Sequence, residues 1–338
     1  METWPKVTIA LAIYQPNTTW LMQQLESLNQ QDYEGELELL AWNDSPADTD
    51  DGAILRLLQR CITSFPYRLL SDGRNHGATR AFEKLTEAAE GKYIAYCDQD
   101  DIWLPGKVRT AVRAMEADEA ILICHIGISL MDDQGSIFRH LGYPAEMSVV
   151  NDSAYQQQRF LLHNFAFGCA MLVRTDFARS VLPFPGKGVY HDQWLACCAA
   201  YSGGVHFLEE KLLLHRMHSE NNSSLLHGIC SKDEYYGKKL ARDTALADCL
   251  MTWYTGKKHD AIVSTAALAI LSPIVRWTEA RNHYHQKPGL TALANLLSAI
   301  SIRPDITLFE IILPLLPEAV FKKCLALIRL RSVGIFHS

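Results

Sequence analysis

The chain has 338 residues, of which 48% are hydrophobic and 21% charged, with a formal net charge of −6. That length fits one large domain or a domain plus an appendage, and an acidic balance without a Lys/Arg run gives no footprint for nucleic acid. Nine cysteines with no CxxC pair and no secretory signal point to buried thiols in a reducing, cytoplasmic setting, and the absence of about 18 successive uncharged apolar residues predicts no spanning helix.

Residues 7–14 (VTIALAIY) form a continuous apolar run with β-branched members, which predicts a buried strand. TTWLMQQLESLNQQ carries Leu21, Leu25 and Leu28 at helical spacing, with Thr18 or Thr19 as its cap. LELLAW (37–42) predicts a second strand, DGAILRLLQRC a second helix and YRLL (67–70) a short strand. ATRAFEKLTEAAEG predicts a helix closed by Gly91, and YIAYC (93–97) a further strand. This alternation predicts an α/β fold with a mainly parallel, Rossmann-like sheet and helices on both faces. Ligands of such sheets bind beyond the carboxyl ends of the strands, so Asp44, Asn75 and the acids at 98–101 share one rim. Further on, AILICHIGISL and CAMLVR read as strands, HDQWLACCAAYSGG as a helix, and VHFLEEKLLLHRMH as a strand or hairpin. Beyond about Ser231 the pattern is helical, interrupted at Pro314 and Pro317. The chain therefore divides into an α/β domain, 1–225, and a helical C-terminal extension, 226–338.

Several short patterns carry chemistry. Asp98 and Asp100, one residue apart at a strand end, can share a hard divalent cation with a phosphate ligand. A solvated acidic loop is the plain alternative, with Asp101 capping the helix that begins near Pro105. Asp192 precedes an apolar helical stretch, where it can act as an N-cap, as a general base toward a hydroxyl, or as both. His215, Arg216, His218 and Asn221 cluster at a strand end and can hold phosphate or complete a metal site, or form a wet strand terminus. Asn75-His76-Gly77 looks like a turn, with Arg80 on the next helix able to meet an anion. Asp132-Asp133-Gln134-Gly135 predicts a β-turn.

In combination these residues are more specific. Asn43-Asp44, Asn75-x-Gly77, Asp98-x-Asp100, His191-Asp192 and His215-Arg216-x-His218-x-x-Asn221, in that order, resemble family 2 glycosyltransferases of the GT-A nucleotide-diphospho-sugar transferase fold. CDQDDIWLPGKV, HDQWLA and HRMHSENNSS look like the branch containing bacterial rhamnosyltransferases, which build O-antigen and other cell-surface polysaccharides. The resemblance covers roughly residues 5–225. It implies a nucleotide-sugar site drawn from Ala12, Tyr14, Asp44, Asn75, Arg80, Asp98, Gln99, His191 and Arg216. It also implies Mn²⁺ or Mg²⁺ held by Asp98, Asp100 and His218, and Asp192 as the catalytic base. The family often carries an Asp-Asp-Gly-Ser-type turn, where this chain reads WNDSPADTD and lacks the glycine.

The implied activity is inverting, metal-dependent transfer of a sugar from a dTDP- or UDP-sugar, with dTDP-L-rhamnose favoured, onto a saccharide or lipid-linked acceptor. A metal offsets charge on the departing diphosphate, and one base activates the acceptor hydroxyl. A sugar-nucleotide nucleotidyltransferase is one alternative, though AIYQPNTTW has neither the glycine nor the basic residue of a phosphate loop. A non-catalytic subunit of a polysaccharide assembly complex is another. The stretch TLFEIILPLLPEAVFKKCLALIRLR mixes apolar runs with a basic end, which suggests peripheral contact with the inner face of the cytoplasmic membrane or with a partner subunit.

Overall fold

The computed structural model describes residues 4–46, 51–143, 153–186, 188–218, 229–256 and 264–332. Asn221 lies outside them. The first elements are β1 (Val7–Ile13), α1 (Thr18–Asn29), β2 (Leu37–Asn43), α2 (Asp51–Cys61), β3 (Tyr67–Leu70), α3 (Ala78–Ala88) and β4 (Tyr93–Cys97). Then come β5 (Ile102–Trp103), α4 (Lys107–Ala117), β6 (Ile121–Met131), β7 (Ile137–His140), α5 (Ser153–Leu162), β8 (Met171–Arg174), α6 (Thr175–Ser180), α7 (His191–Ala200) and β9 (Gly204–Arg216). The remainder is α8 (Lys232–Glu234), running through a π-helical turn (Tyr235–Leu240) into α9 (Ala241–Thr255), then α10 (Thr265–Gln286), α11 (Leu290–Ser298), α12 (Pro304–Ile312) and α13 (Glu318–Ser332).

Among the described residues, one sheet takes all nine strands, in the order β3-β2-β1-β4-β8-β6-β9-β5, with β7 on β6. The first four are parallel, with Ala10 of β1 between Leu40 and Tyr96. Strands β1, β2 and β4 are covered on both faces, which is why they read as unbroken apolar runs. The sheet is then mixed rather than mainly parallel: β8 runs antiparallel to β4 and β6, and β6 is parallel to β9. Because β1 to β4 are parallel, Tyr14, Asp44 and Asp98 all leave from one edge.

Local expectations need small corrections. Helix α1 is capped by Asn17, not Thr18 or Thr19: its Oδ1 accepts from Thr19 N at 3.0 Å and Trp20 N at 3.2 Å. Gly91 does not close α3. It lies beside β1, where a Cβ would stand 2.6 Å from Thr8 N, so close backbone approach requires glycine there. The turn at 132–135 forms as expected, with Gly135 N on Asp132 O at 3.0 Å and Gly135 at φ +86°. All nine cysteines are free thiols, six of them buried.

The chain separates into two compact units, one of residues 1–153, 164–184 and 190–219, the other of 154–163, 185–189 and 220–338. The helical unit thus draws in two segments from before residue 225. Its interior packs Tyr235, Leu313, Phe321 and Leu325 together. Beside them lies a buried polar network: Arg281 donates to Glu310 at 2.8 and 2.6 Å and to Asp243 at 3.2 Å, and Tyr235 OH donates to Glu310 at 2.7 Å. Mutual pairing is what allows these charges to be buried. Among the described residues, no helix is long and apolar enough to cross a membrane.

Candidate active site

The rim is tied together by side chains that bond to backbone. Tyr14 N donates to Gln99 Oε1 at 2.8 Å, and Gln99 Nε2 donates back to Tyr14 O at 3.0 Å. Gln99 therefore fixes the end of β1 to the acidic loop. Gln15 follows at φ +40°, a left-handed conformation held by Ser45 Oγ, which accepts Gln15 N at 3.0 Å. Ala12, half-buried, pairs with Trp42 in the ladder.

Asp44 is buried and accepts from Trp42 Nε1 at 3.2 Å, His76 N at 3.0 Å and Gly77 N at 2.8 Å. It anchors the 75–77 turn to β2. Asn75 Oδ1 shares Gly77 N at 2.9 Å, and Gly77 sits at φ +80°. Arg80 forms an ion pair with Glu83 at 2.6 Å, and Glu83 also accepts Phe184 N at 2.6 Å. In this arrangement the Arg80 charge is matched within the protein instead of facing an anion.

The three acids after β4 take three different roles. Asp101 does not cap α4, whose N-cap is Gly106 at φ +87°. It turns inward, and its Oδ1 accepts from His215 Nδ1 at 2.8 Å and Arg216 N at 3.1 Å. Burial pulls the His215 pKa down, but the Asp101 carboxylate outweighs it and the imidazole titrates at about 9. Asp100 Oδ2 lies 2.7 Å from His218 Nε2, a part-buried pair at the rim. Asp98 is pushed up to about 8 by burial, and then by the carboxylates of Asp101, Asp100 and Asp192, with His215 opposing. Four acids therefore act on one another here, and burial with its neighbouring carboxylates holds the Asp98 carboxyl well above the usual carboxylate range.

Arg216 differs from expectation. Nε donates to Asp100 O at 2.9 Å, Nη1 to Asp132 O and Asp133 O at 3.4 and 3.2 Å, and Nη2 to Gln23 Oε1 at 2.8 Å. Its Cζ lies 5.2 Å from the centre of the Trp20 ring, which is 4.8 Å from the centre of the His218 ring. The guanidinium thus ties the acidic loop, the 132–135 turn and α1 into one block, and is directed to protein oxygens instead of to a phosphate.

Asp192 is the second residue of α7, whose N-cap is Tyr190, so it sits in the first turn and not at the cap. A carboxylate there complements the helix dipole. Oδ1 accepts from Asn164 Nδ2 at 3.0 Å and Gln193 N at 2.6 Å, and Oδ2 from Gly168 N at 3.3 Å. His191 points elsewhere. It is stacked on Phe82 at 4.1 Å and edge-on to Tyr96 at 5.3 Å, and burial lowers its pKa to about 3. It is a neutral core residue, contrary to its expected place at the nucleotide sugar.

The site also contains residues that the sequence reading passed over. Asn164, in the loop after α5, and Gly168, which opens a buried 3-10 turn (Gly168–Ala170) before β8, hold the Asp192 carboxylate, and no motif marks either. Trp20 and Gln23 back Arg216; the only signal was a tryptophan off the apolar stripe of α1. Among the described residues, Asp101, Cys169 and His215 also bring potential metal-binding atoms within 4.8 Å of one another. That trio is fully buried, and the carboxylate–imidazole hydrogen bond already engages two of its members. It differs from the rim set of Asp98, Asp100 and His218. Among the described residues Asp98, Asp100 and His218 are not gathered within 4.8 Å of one another, although Asp100 and His218 meet at 2.7 Å; the set offers oxygen and imidazole donors of the kind that Mn²⁺ or Mg²⁺ takes.

The pattern of the family described as "Glycosyl transferase family 2" matches residues 13–182, about half of the chain. The chain belongs to glycosyl transferase family 2. An uncharacterized glycosyltransferase of Rickettsia felis is 24% identical over 226 residues, covering 65% of this chain and 35% of that protein. Another, of Methanocaldococcus jannaschii, is 23% identical over 222 residues, covering 64% of this chain and 73% of that protein. The chain thus spans about a third of the length of the first relative and most of the second. Among solved structures, S. aureus TarS 1-349 in complex with UDP-GlcNAc superposes with a TM-score of 0.56 at 14% identity, covering 87% of this chain and 79% of that one. The fold is GT-A, with helices following the mixed sheet.

Proposed function

We propose that the chain is a metal-dependent, inverting glycosyltransferase that moves a hexose from a nucleotide diphosphate onto a hydroxyl acceptor. The observation that carries this reading is the convergence of Asp98, Asp100 and Asp192. The Asp98 pKa is pushed up to about 8 first by burial, then by Asp101 and Asp100, and least by Asp192, so the Asp192 charge is felt at Asp98. Asp98, Asp100 and His218 would hold Mn²⁺ or Mg²⁺. When bound, such a cation offsets the charge that develops on the departing diphosphate.

The remaining roles belong to the chain's own side chains. Ala12 and Tyr14 line the base pocket at the end of β1, and Asp44 with Asn75 shapes the adjoining turn. Gln99 and Arg216 keep the acidic loop in place. Asp192, held by Asn164 and Gly168, takes the proton from the acceptor hydroxyl as the new bond forms, a role typically worth ~10²–10⁴-fold. A single base and a single displacement invert the anomeric centre.

The donor we favour is dTDP-L-rhamnose, because CDQDDIWLPGKV and HRMHSENNSS look like the rhamnosyltransferase branch. The acceptor is then a saccharide or lipid-linked saccharide of a bacterial surface polysaccharide such as O-antigen, at the cytoplasmic face of the membrane. The division into a transferase domain, 1–225, and a helical extension, 226–338, belongs to the same reading. UDP-GlcNAc, present in the TarS structure, makes UDP-sugars the second class of donor. The test is release of nucleotide diphosphate from a panel of dTDP- and UDP-sugars with Mn²⁺. Turnover of dTDP-L-rhamnose above the rest supports the donor; preference for a UDP-sugar rejects rhamnose and keeps the class. No turnover of any donor with any hydroxyl acceptor favours the non-catalytic subunit.

A further inference from the structure

The helical unit carries a surface in which charge is sorted by direction. Between Leu308 and Leu327 there are two acids and two bases. Both acids are engaged within the protein: Glu310 is buried under Arg281 and Tyr235, and the half-exposed Glu318 accepts Lys232 N at 3.1 Å through Oε1. Both bases, Lys322 and Lys323, face solvent. The large apolar residues divide as well. Leu313, Phe321 and Leu325 fill the core, whereas Leu308, Ile312, Leu315, Val320 and Leu327 are exposed.

The exposed set is ordered. Leu308, Ile312 and Leu315 follow one another at helical spacing along the end of α12 and the turn beyond it. Val320, Lys323 and Leu327 do so along α13. Leu315 stands at the tip, 83% exposed and flanked by Pro314 and Pro317. Leu327 is 61% exposed. An apolar ridge of this kind on a soluble surface marks an interaction site.

We propose that this ridge docks the chain on an anionic lipid surface, with Leu315 entering the boundary between headgroups and acyl chains and Lys322 and Lys323 against lipid phosphates. Charge complementarity selects this occupant: Lys322 and Lys323 face outward on α13, and the exposed acid one turn before Leu308, Asp305, is matched by Arg303 at 2.6 Å, so the apolar edge with its two lysines suits a negatively charged bilayer surface. A second copy would bring lysines toward lysines in a two-fold contact. The inference concerns binding alone and stands without the transferase reading.

The experiment is flotation of the intact chain with vesicles made of equal parts phosphatidylglycerol and phosphatidylcholine, and with phosphatidylcholine alone. The expected result is flotation with the mixed vesicles only. Leu315→Asn should lower the vesicle-bound to free ratio about tenfold. Lys322→Gln and Lys323→Gln should each lower it about fivefold. All three side chains are exposed, so melting temperatures should match the parent and keep folding out of the comparison. Failure of the parent to float overturns the proposal, as does equal flotation of parent and Leu315→Asn. Sedimentation showing a dimer that Leu315→Asn dissolves would assign the ridge to a second copy and overturn it too.

Discussion

Asp101 and His215 are 114 positions apart in the chain, yet Asp101 Oδ1 accepts a hydrogen bond from His215 Nδ1 at 2.8 Å in the interior of the sheet. The same oxygen accepts Arg216 N at 3.1 Å. The loop bearing Asp98 and Asp100 is thereby fastened to the strand end that leads to His218. The pair is ionic, so its contribution to stability depends on pH. The folded pKa of His215, about 9, lies above the ordinary 6.5. Its contribution is therefore fully present below about pH 6.5 and is lost as pH rises through about 9.

Asp101→Asn removes the anion and leaves the imidazole buried. The difference in unfolding free energy between parent and variant should be on the order of 3 kcal/mol at about pH 6 and should shrink by about pH 10. Urea denaturation of both proteins across that range measures it. A difference that stays flat with pH would mean the pair is a neutral hydrogen bond.

Metal binding should also follow pH, with a different sign. Asp98 carries a proton up to about pH 8 because burial and the neighbouring carboxylates disfavour its anion. A divalent cation must displace that proton. Calorimetric titration should therefore show Mn²⁺ affinity rising with pH, by up to about tenfold per unit, and levelling off above about pH 8. Asp100→Ala should weaken both Mn²⁺ and nucleotide-sugar binding, and chelator should abolish transfer. Full turnover in excess chelator would remove the metal from the mechanism.

Much of the parallel half of the fold is legible because β1, β2 and β4 are buried on both faces and leave continuous apolar runs. The antiparallel insertion of β8 is not, since CAMLVR reads alike in either direction, and the two residues of β5 become a strand only by pairing with β9. At two site positions, sequence neighbours are not spatial partners. His191 and Asp192 are adjacent, but successive helix residues point about 100° apart, so one enters the core and the other the rim. Arg216 near two aspartates suggests a phosphate ligand. The backbone carbonyls that accept its protons come from Asp100, Asp132 and Asp133, and no side-chain pattern marks such partners.

The base assignment is tested by Asp192→Asn. The amide keeps one oxygen acceptor for Asn164 or Gly168 but cannot take a proton. Turnover should fall ~10²–10⁴-fold while melting temperature and donor affinity change little, the signature of an interaction made in the transition state. Asn164→Ala should also lower turnover without changing donor affinity, through a misplaced carboxylate. Near-parental turnover of Asp192→Asn would move the base elsewhere, with Asp101 next to be tried despite its burial.

Gly168 provides the last prediction, because it supports the base through geometry alone. A Cβ at this position would stand 2.7 Å from His191 Nε2, 3.1 Å from its Cε1 and 3.5 Å from Asp192 Cβ. His191 cannot retreat easily, since Phe82 stacks on it at 4.1 Å and Tyr96 closes one edge. The 3-10 turn at 168–170 is buried as well, and any displacement of it would lengthen the Gly168 N to Asp192 Oδ2 hydrogen bond, already 3.3 Å. Gly168→Ala should therefore cost about 1–3 kcal/mol of stability, as overpacking does. It should lower turnover more than donor affinity, because Asp98 and Asp100, the acids proposed for the metal, come from another loop. Adding His191→Ala to Gly168→Ala opens space for the methyl group and should recover part of the lost turnover, even though the cavity lowers the melting temperature further. Turnover, donor titration and melting of the two single variants and the double variant complete the cycle. If the second substitution recovers no turnover, the clash with His191 is not what displaces Asp192.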